Sequence, residues 1–137
     1  MGEVDEAKLD EMVGAARAMM ARAYAPYSGF HVGAAVLNED GVVRPGVNVE
    51  NASYPMSVCA ERNAVAGMVL SGNKKILAVA VATNVPTPTP PCGGCRQVLW
   101  EFGDAETPVV AEGANGVRAR WRLGDLLPDA FGPDDLR

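Results

Sequence analysis

Apolar residues between Asp5 and Ala23 recur three and four positions apart, at Leu9, Met12, Val13, Ala16, Met19, Met20 and Ala23. That spacing draws one stripe along a helix, with Lys8, Asp10, Glu11, Arg17 and Arg22 off it. Pro26 ends the pattern. The period then shortens. His31 to Asn38 and Val42 to Glu50 read as strands around Asn38-Glu39-Asp40-Gly41, a hairpin turn. Pro45 predicts that the second strand is bulged or lies at a sheet edge. A polar loop, Asn51 to Ser57, leads to an apolar segment from Cys59 to Leu70 that stops at Ser71-Gly72, a helix with its C-cap.

Ile76 to Thr83 is a nearly unbroken aliphatic run, the pattern of a strand buried on both faces. Pro86 to Pro91 is too short for a linker and reads as a stiff loop. Arg96 to Phe102 looks helical, Pro108 to Ala111 is a short strand, and Val117 to Leu123 another after Gly113-Ala114-Asn115-Gly116. A short helix is expected near Leu126. The order αββαβαββ predicts a helix-flanked mixed sheet in one layered domain spanning residues 1–137.

Composition narrows the function classes. With 137 residues, 48% hydrophobic and 21% charged, the chain can bury a core without covalent staples. The net charge of −5 and the lack of a basic run disfavour a reader of nucleic acid. Ile76 to Val85, interrupted by Thr83 and Asn84, is too short to cross a bilayer, and the acidic start has no apolar signal core. A cytoplasmic protein without membrane partners is expected. Three cysteines, Cys59, Cys92 and Cys95, are an odd number, which points to metal or catalytic use rather than a disulfide framework.

The chemistry concentrates in Cys59-Ala60-Glu61-Arg62 and Pro91-Cys92-Gly93-Gly94-Cys95-Arg96-Gln97. Both stand at predicted helix starts, where free N–H groups and the helix dipole favour anions and lower thiol pKa values. Cys92 and Cys95 are three residues apart, so both sulfurs can reach one metal, and zinc suits such thiolates best. Three protein ligands with an open position describe a catalytic zinc; a structural zinc would need a fourth, for which the single histidine, His31, is available. A redox Cys-x-x-Cys is a third reading, and it leaves Cys59 and Glu61 unexplained. Glu61, in a first helical turn beside a metal, would be placed for general acid–base work. Arg62 lies three residues after Cys59 and could donate to the sulfurs, offsetting the excess charge of three thiolates on a divalent ion. A solvated surface arginine is its other reading.

The chain resembles the small, homotetrameric, three-cysteine cytidine deaminases. Five segments carry the resemblance: Tyr27 to Ala35, Asn48 to Tyr54, Cys59 to Arg62, Pro91 to Gln97 and Leu126 to Phe131. It implies a three-layer α/β/α fold with a five-stranded mixed sheet, and hydrolytic deamination of cytidine and deoxycytidine with loss of ammonia, a step of pyrimidine salvage. It further implies one zinc per chain on Cys59, Cys92 and Cys95, with Glu61 as proton shuttle. Phe30 would pack on the base, Asn48 and Glu50 would hold ribose hydroxyls, and Tyr54 would join the substrate site. Backbone groups around Ala60 would read the base edge, and Phe131 would reach a neighbouring subunit's site. Pro55, Val47 and the proline-rich loop depart from the family's usual pattern without touching a ligand position. Rival readings are a deaminase of a related aminopyrimidine nucleoside such as blasticidin S, a polynucleotide deaminase, which the acidity disfavours, and a structural-zinc interaction module.

Overall fold

The computed structural model describes residues 4–137. Helix α1 (Glu6–Met19) starts where Asp5 caps it by accepting from the Lys8 N–H at 2.8 Å, and it runs on into a 3₁₀ turn, Met20–Arg22. Leu9, Met12, Val13 and Ala16 form its buried stripe, as the periodicity predicts. Strands β1 (Val32–Asn38) and β2 (Val43–Val47) follow, then helix α2 (Ala60–Leu70) and strand β3 (Ile76–Thr83). Helix α3 (Gly93–Phe102), strands β4 (Pro108–Glu112) and β5 (Arg118–Arg122), and the short helix α4 (Leu123–Leu126) complete the main elements.

The five strands form one sheet in the order β2-β1-β3-β4-β5. Only β3 and β4 run parallel; the other neighbours are antiparallel, so the sheet is mixed. Helix α1 covers one face through Ala35, Leu37, Ala78 and Ala80, while α2 and α3 cover the other through Val36, Val79 and Val81. The expected three-layer α/β/α arrangement with five strands is observed. The long aliphatic segment β3 sits at the centre, where burial on both faces suits its composition. Pro45 lies on β2, an edge strand, where its missing N–H leaves no ladder bond unmade.

Two close approaches set the depth at which the helices sit. A Cβ on Gly33 would fall 1.8 Å from the Ala16 carbonyl oxygen, so α1 rests directly on the backbone of β1. A Cβ on Gly46 would fall 2.3 Å from the Ala60 carbonyl oxygen and 2.5 Å from the Ala64 nitrogen, so α2 rests on β2 in the same way.

Two boundaries differ from the sequence expectation. The β2 ladder ends at Val47, because Val49 bridges instead to Tyr24 and Val58, and Asn48 and Glu50 therefore stand beyond the sheet. Helix α3 begins at Gly93 rather than Arg96, since two glycines at a first turn are tolerated once Cys92 starts the helix.

At the far end of β4, the buried Glu112 carboxylate ties three elements together. It accepts from Arg17 of α1 at 2.7 Å and from Arg118 of β5 at 2.9 Å. Desolvation works to raise its pKa, and the two guanidinium groups outweigh it and hold the carboxyl below the usual range. A depressed folded pKa means this stability is complete above the unfolded value of about 4.3 and is lost as pH falls through the folded value. Replacing Glu112 with Gln is expected to cost about 1–2 kcal/mol at pH 7, with a deficit that shrinks below about pH 4. Urea titrations at the two pH values check both the size and the trend.

Candidate metal centre and substrate cavity

Cys59 and Cys92 occupy equivalent places. Each is the N-cap residue of its helix, in extended conformation, and neither has a capping side-chain bond. Cys95 follows in the first turn of α3 and is fully buried. Because α2 and α3 pack on the same face of the sheet, their N-termini bring the three sulfurs within 4.8 Å of one another, with Cys59 Sγ and Cys92 Sγ 3.9 Å apart. Sulfurs on a tetrahedral ion with zinc–sulfur bonds of about 2.3 Å would lie roughly 3.8 Å apart, so the donor set fits zinc in type and in spacing. Among the described residues no fourth His, Cys, Asp or Glu joins the group, and His31 is not part of it.

The electrostatics favour a thiolate at Cys59. A hydrogen bond from the Cys95 thiol, aided by Cys92 and the positive charge of Arg62, brings Cys59 down to about 6. Cys95, the donor in that bond and buried, is pushed up. Arg62 itself is exposed and makes no hydrogen bond to the sulfurs, so what it supplies here is charge rather than the expected direct donation. Glu61 stands at the second position of α2 and is 5% exposed. Burial first, and the Cys59 thiolate after it, raise its carboxyl to about 7 against its own backbone N–H. A divalent cation on the three sulfurs would offset the Cys59 charge and favour the ionised carboxylate.

Beside the sulfurs opens a cavity of about 150 Å³, lined among others by Phe30, Asn48, Ala60, Glu61, Cys59 and Cys92. The sequence pointed to all six. It missed the others: Val32, Val81 and Thr83 from the sheet, and Thr89 and Pro90 from the proline loop. That loop is pressed against Gly113, where a Cβ would meet the Pro86 carbonyl oxygen at 2.0 Å. Glu50, Tyr54 and Phe131 do not line the cavity. The Glu50 carboxylate accepts from the Tyr27 and Ser28 N–H groups at 2.9 and 3.1 Å and from the Ser28 hydroxyl, which lowers its pKa. Tyr54 is exposed and meets the Tyr27 ring edge to face at 6.2 Å. Phe131 is exposed, its carbonyl oxygen accepting from Gln97 of α3 at 2.8 Å.

The segment carrying Phe30 is held by two asparagines. Asn48 donates to the Phe30 carbonyl at 2.7 Å and accepts from the Val32 N–H at 2.9 Å. Asn84, at the end of β3, donates to the Gly29 carbonyl at 2.8 Å and accepts from the His31 N–H at 3.0 Å. Gly29, with φ +69°, supplies the turn that a side chain would strain.

The family model for the cytidine and deoxycytidylate deaminase zinc-binding region matches residues 6–112. The chain belongs to this deaminase family. It is 50% identical over 116 residues to cytidine deaminase of Mycobacterium tuberculosis, covering 85% of this chain and 84% of that protein. It is 44% identical over 114 residues to cytidine deaminase of Halalkalibacterium halodurans, covering 83% and 86%. A crystal structure of cytidine deaminase from Burkholderia pseudomallei superposes with a TM-score of 0.85 at 44% identity, covering 89% of this chain and 98% of that one. Membership of a zinc-binding deaminase family agrees with the donor set, and the chain is a zinc protein. No helix among the described residues is long and apolar enough to cross a membrane.

Replacing Asn84 with Ala removes both side-chain bonds to the segment 29–31 and keeps the backbone bond from residue 84 to the His31 carbonyl. The His31 amide is expected to exchange with solvent about 5–30-fold faster, whereas Asn84→Asp keeps the acceptor and the His31 protection. Hydrogen exchange followed by NMR reads the difference.

Proposed function

We propose that the chain hydrolyses the C4 amine of cytidine and deoxycytidine, releasing ammonia and leaving uridine or deoxyuridine. The observation that carries this reading is the donor set. Three thiols converge with no fourth ligand among the described residues, and a buried carboxyl, Glu61, lines the same cavity. A structural zinc takes four protein ligands, whereas a catalytic one leaves a position for water or substrate. The relatives named cytidine deaminase supply the substrate class.

Cys59, Cys92 and Cys95 hold one zinc, which when bound supplies Lewis-acid activation of the attacking water. Glu61 takes one proton from the attacking water and delivers it to N3 of the pyrimidine, then takes the remaining proton of the hydroxyl added at C4 and delivers it to the amine that departs. Phe30 packs on the base, and the Ala60 N–H, at the uncapped start of α2, reads its edge. Asn48 retains one N–H and one lone pair beyond its two backbone bonds, enough for a ribose hydroxyl. Glu50 and Tyr54 stand outside the cavity, where the sugar would extend. Arg62 offsets the thiolate charge. Residues 1–137 act as one deaminase domain, in the cytoplasm, recycling pyrimidine nucleosides without membrane or nucleic-acid partners.

Glu61→Gln preserves size and all three thiols. Metal analysis is expected to find about one zinc per chain in both proteins, while release of ammonia from cytidine falls by about 10²–10⁴-fold. Full deamination by a zinc-loaded Glu61→Gln chain would assign the proton transfers elsewhere.

We further propose a homotetramer in which Phe131 completes a neighbour's site. The exposed Tyr24, Tyr27, Tyr54, Met56 and Phe131 supply apolar surface for assembly. Sedimentation is expected to give about four times the 14.3 kDa chain mass. Phe131→Ala should raise the KM for cytidine by roughly 5–50-fold, as loss of a packed aromatic does.

A further inference from the structure

Thr83 is the last residue of β3 and is 2% exposed. Its Oγ1 alone, among the described residues, is a buried side-chain polar atom without a hydrogen-bond partner. It pairs with Val32 across the antiparallel β1–β3 ladder, and residues directly opposite share a face of the sheet. The alternation along β3 puts Val81 on that face as well. Val32, Val81 and Thr83 together form the sheet wall of the cavity that Glu61 and Ala60 enter from α2.

Burial does not account for a threonine at this place. Val79 and Val81 occupy the two preceding positions on the same face, and a third valine would keep the shape without a polar atom. A hydroxyl taken from water and left unpaired is unfavourable, so a folded protein that keeps one calls for a physical account. The cavity provides it. A threonine in a strand can step between staggered χ1 wells, exchanging Oγ1 with the methyl and turning the hydroxyl into the cavity. The rest of the sheet wall there, Val32 and Val81, offers no side-chain polar group.

We propose that the Thr83 hydroxyl is a specificity-determining group that hydrogen-bonds a polar atom of the pyrimidine base. This rests on the nucleoside reading above. The base is assigned as its partner because Thr83 shares the cavity with Glu61, which serves N3 and C4; Asn48 lines that cavity too, and the comparison of uridine with 2′-deoxyuridine separates the base from the 2′-hydroxyl.

Four chains decide it: the parent, Thr83→Val, Thr83→Ala and Thr83→Ser, each checked for zinc content. Turnover of cytidine by the parent tests the nucleoside reading itself; the Thr83 comparison is made as ratios to that parent, so the two failures are separate. Thr83→Val and Thr83→Ala are expected to raise the KM for cytidine and the Kd for uridine by about 2- to 10-fold. Thr83→Ser, which keeps the hydroxyl, should stay within about twofold. The Kd ratio should be the same for uridine and 2′-deoxyuridine. Thr83→Val should also melt higher, by roughly 2–8 °C, because the unpaired atom is gone. Weaker binding in a more stable chain is a combination that a merely structural threonine would not produce. Unchanged Kd values in Thr83→Val and Thr83→Ala would overturn the proposal, as would a loss confined to one of the two sugars.

Discussion

Two helix N-termini aimed at one point are the arrangement on which everything else in this chain depends. A thiolate is poorly tolerated in an apolar interior, and three together repel one another. Placing Cys59 and Cys92 as N-cap residues and Cys95 in a first turn sets each sulfur among unpaired N–H groups and the positive ends of two dipoles. Cys59 is favoured as a thiolate there and the fully buried Cys95 is not, so the cluster as a whole calls for a cation. The sheet makes this possible, because α2 and α3 lie on the same face and share its apolar cover with Val36, Val79 and Val81. Helix α1 covers the other face, resting on β1 at Gly33 and packing on β3 through Ala78 and Ala80.

The opposite side of the cavity is built on another principle. The turn bearing Phe30 has no regular ladder of its own, and side chains bond the Gly29 and Phe30 carbonyls and the Phe30 and His31 N–H groups. Asn48 and Asn84 each spend one donor and one acceptor on it, one from beyond β2 and the other from the end of β3. The Glu50 carboxylate accepts from the Tyr27 and Ser28 N–H groups. The loop beside the cavity is thereby ordered by side-chain bonds within the chain itself, before any ligand arrives.

Much of this could be read from the amino-acid sequence, and the limits have physical causes. The stripe of α1, the aliphatic β3 and the edge position of Pro45 follow from periodicity and from what proline cannot do. The three cysteines and Glu61 were legible because metal ligation restricts residue type and helix starts restrict position. The end of β2 was not, since Val47, Asn48 and Val49 carry a strand pattern while the pairing of Val49 with Tyr24 and Val58 is decided by tertiary approach. Thr83 and Asn84 stood in plain view as polar residues closing an apolar run. Their partners lie some fifty positions away, at Val32 and at Gly29 to His31, and no local pattern records that distance. Arg62 shows the reverse case, where helical spacing put a guanidinium on the correct side without bringing it to the sulfurs.

The absence of a side chain at Gly46 has a consequence for how this protein can vary. Ala60 and Ala64 touch β2 through backbone atoms, so the start of α2 is seated on main chain rather than on a deformable layer of side chains. Met68 of α2 and Ile76 of β3 belong to one cluster with Ala60 and Ala64, and a close-packed interior transmits strain. The main-chain seat has no side chain that could yield, so a change of core volume has to be taken up among the side chains on the other surface of α2. A residue larger than glycine at position 46 would lift the end of the helix that carries Glu61.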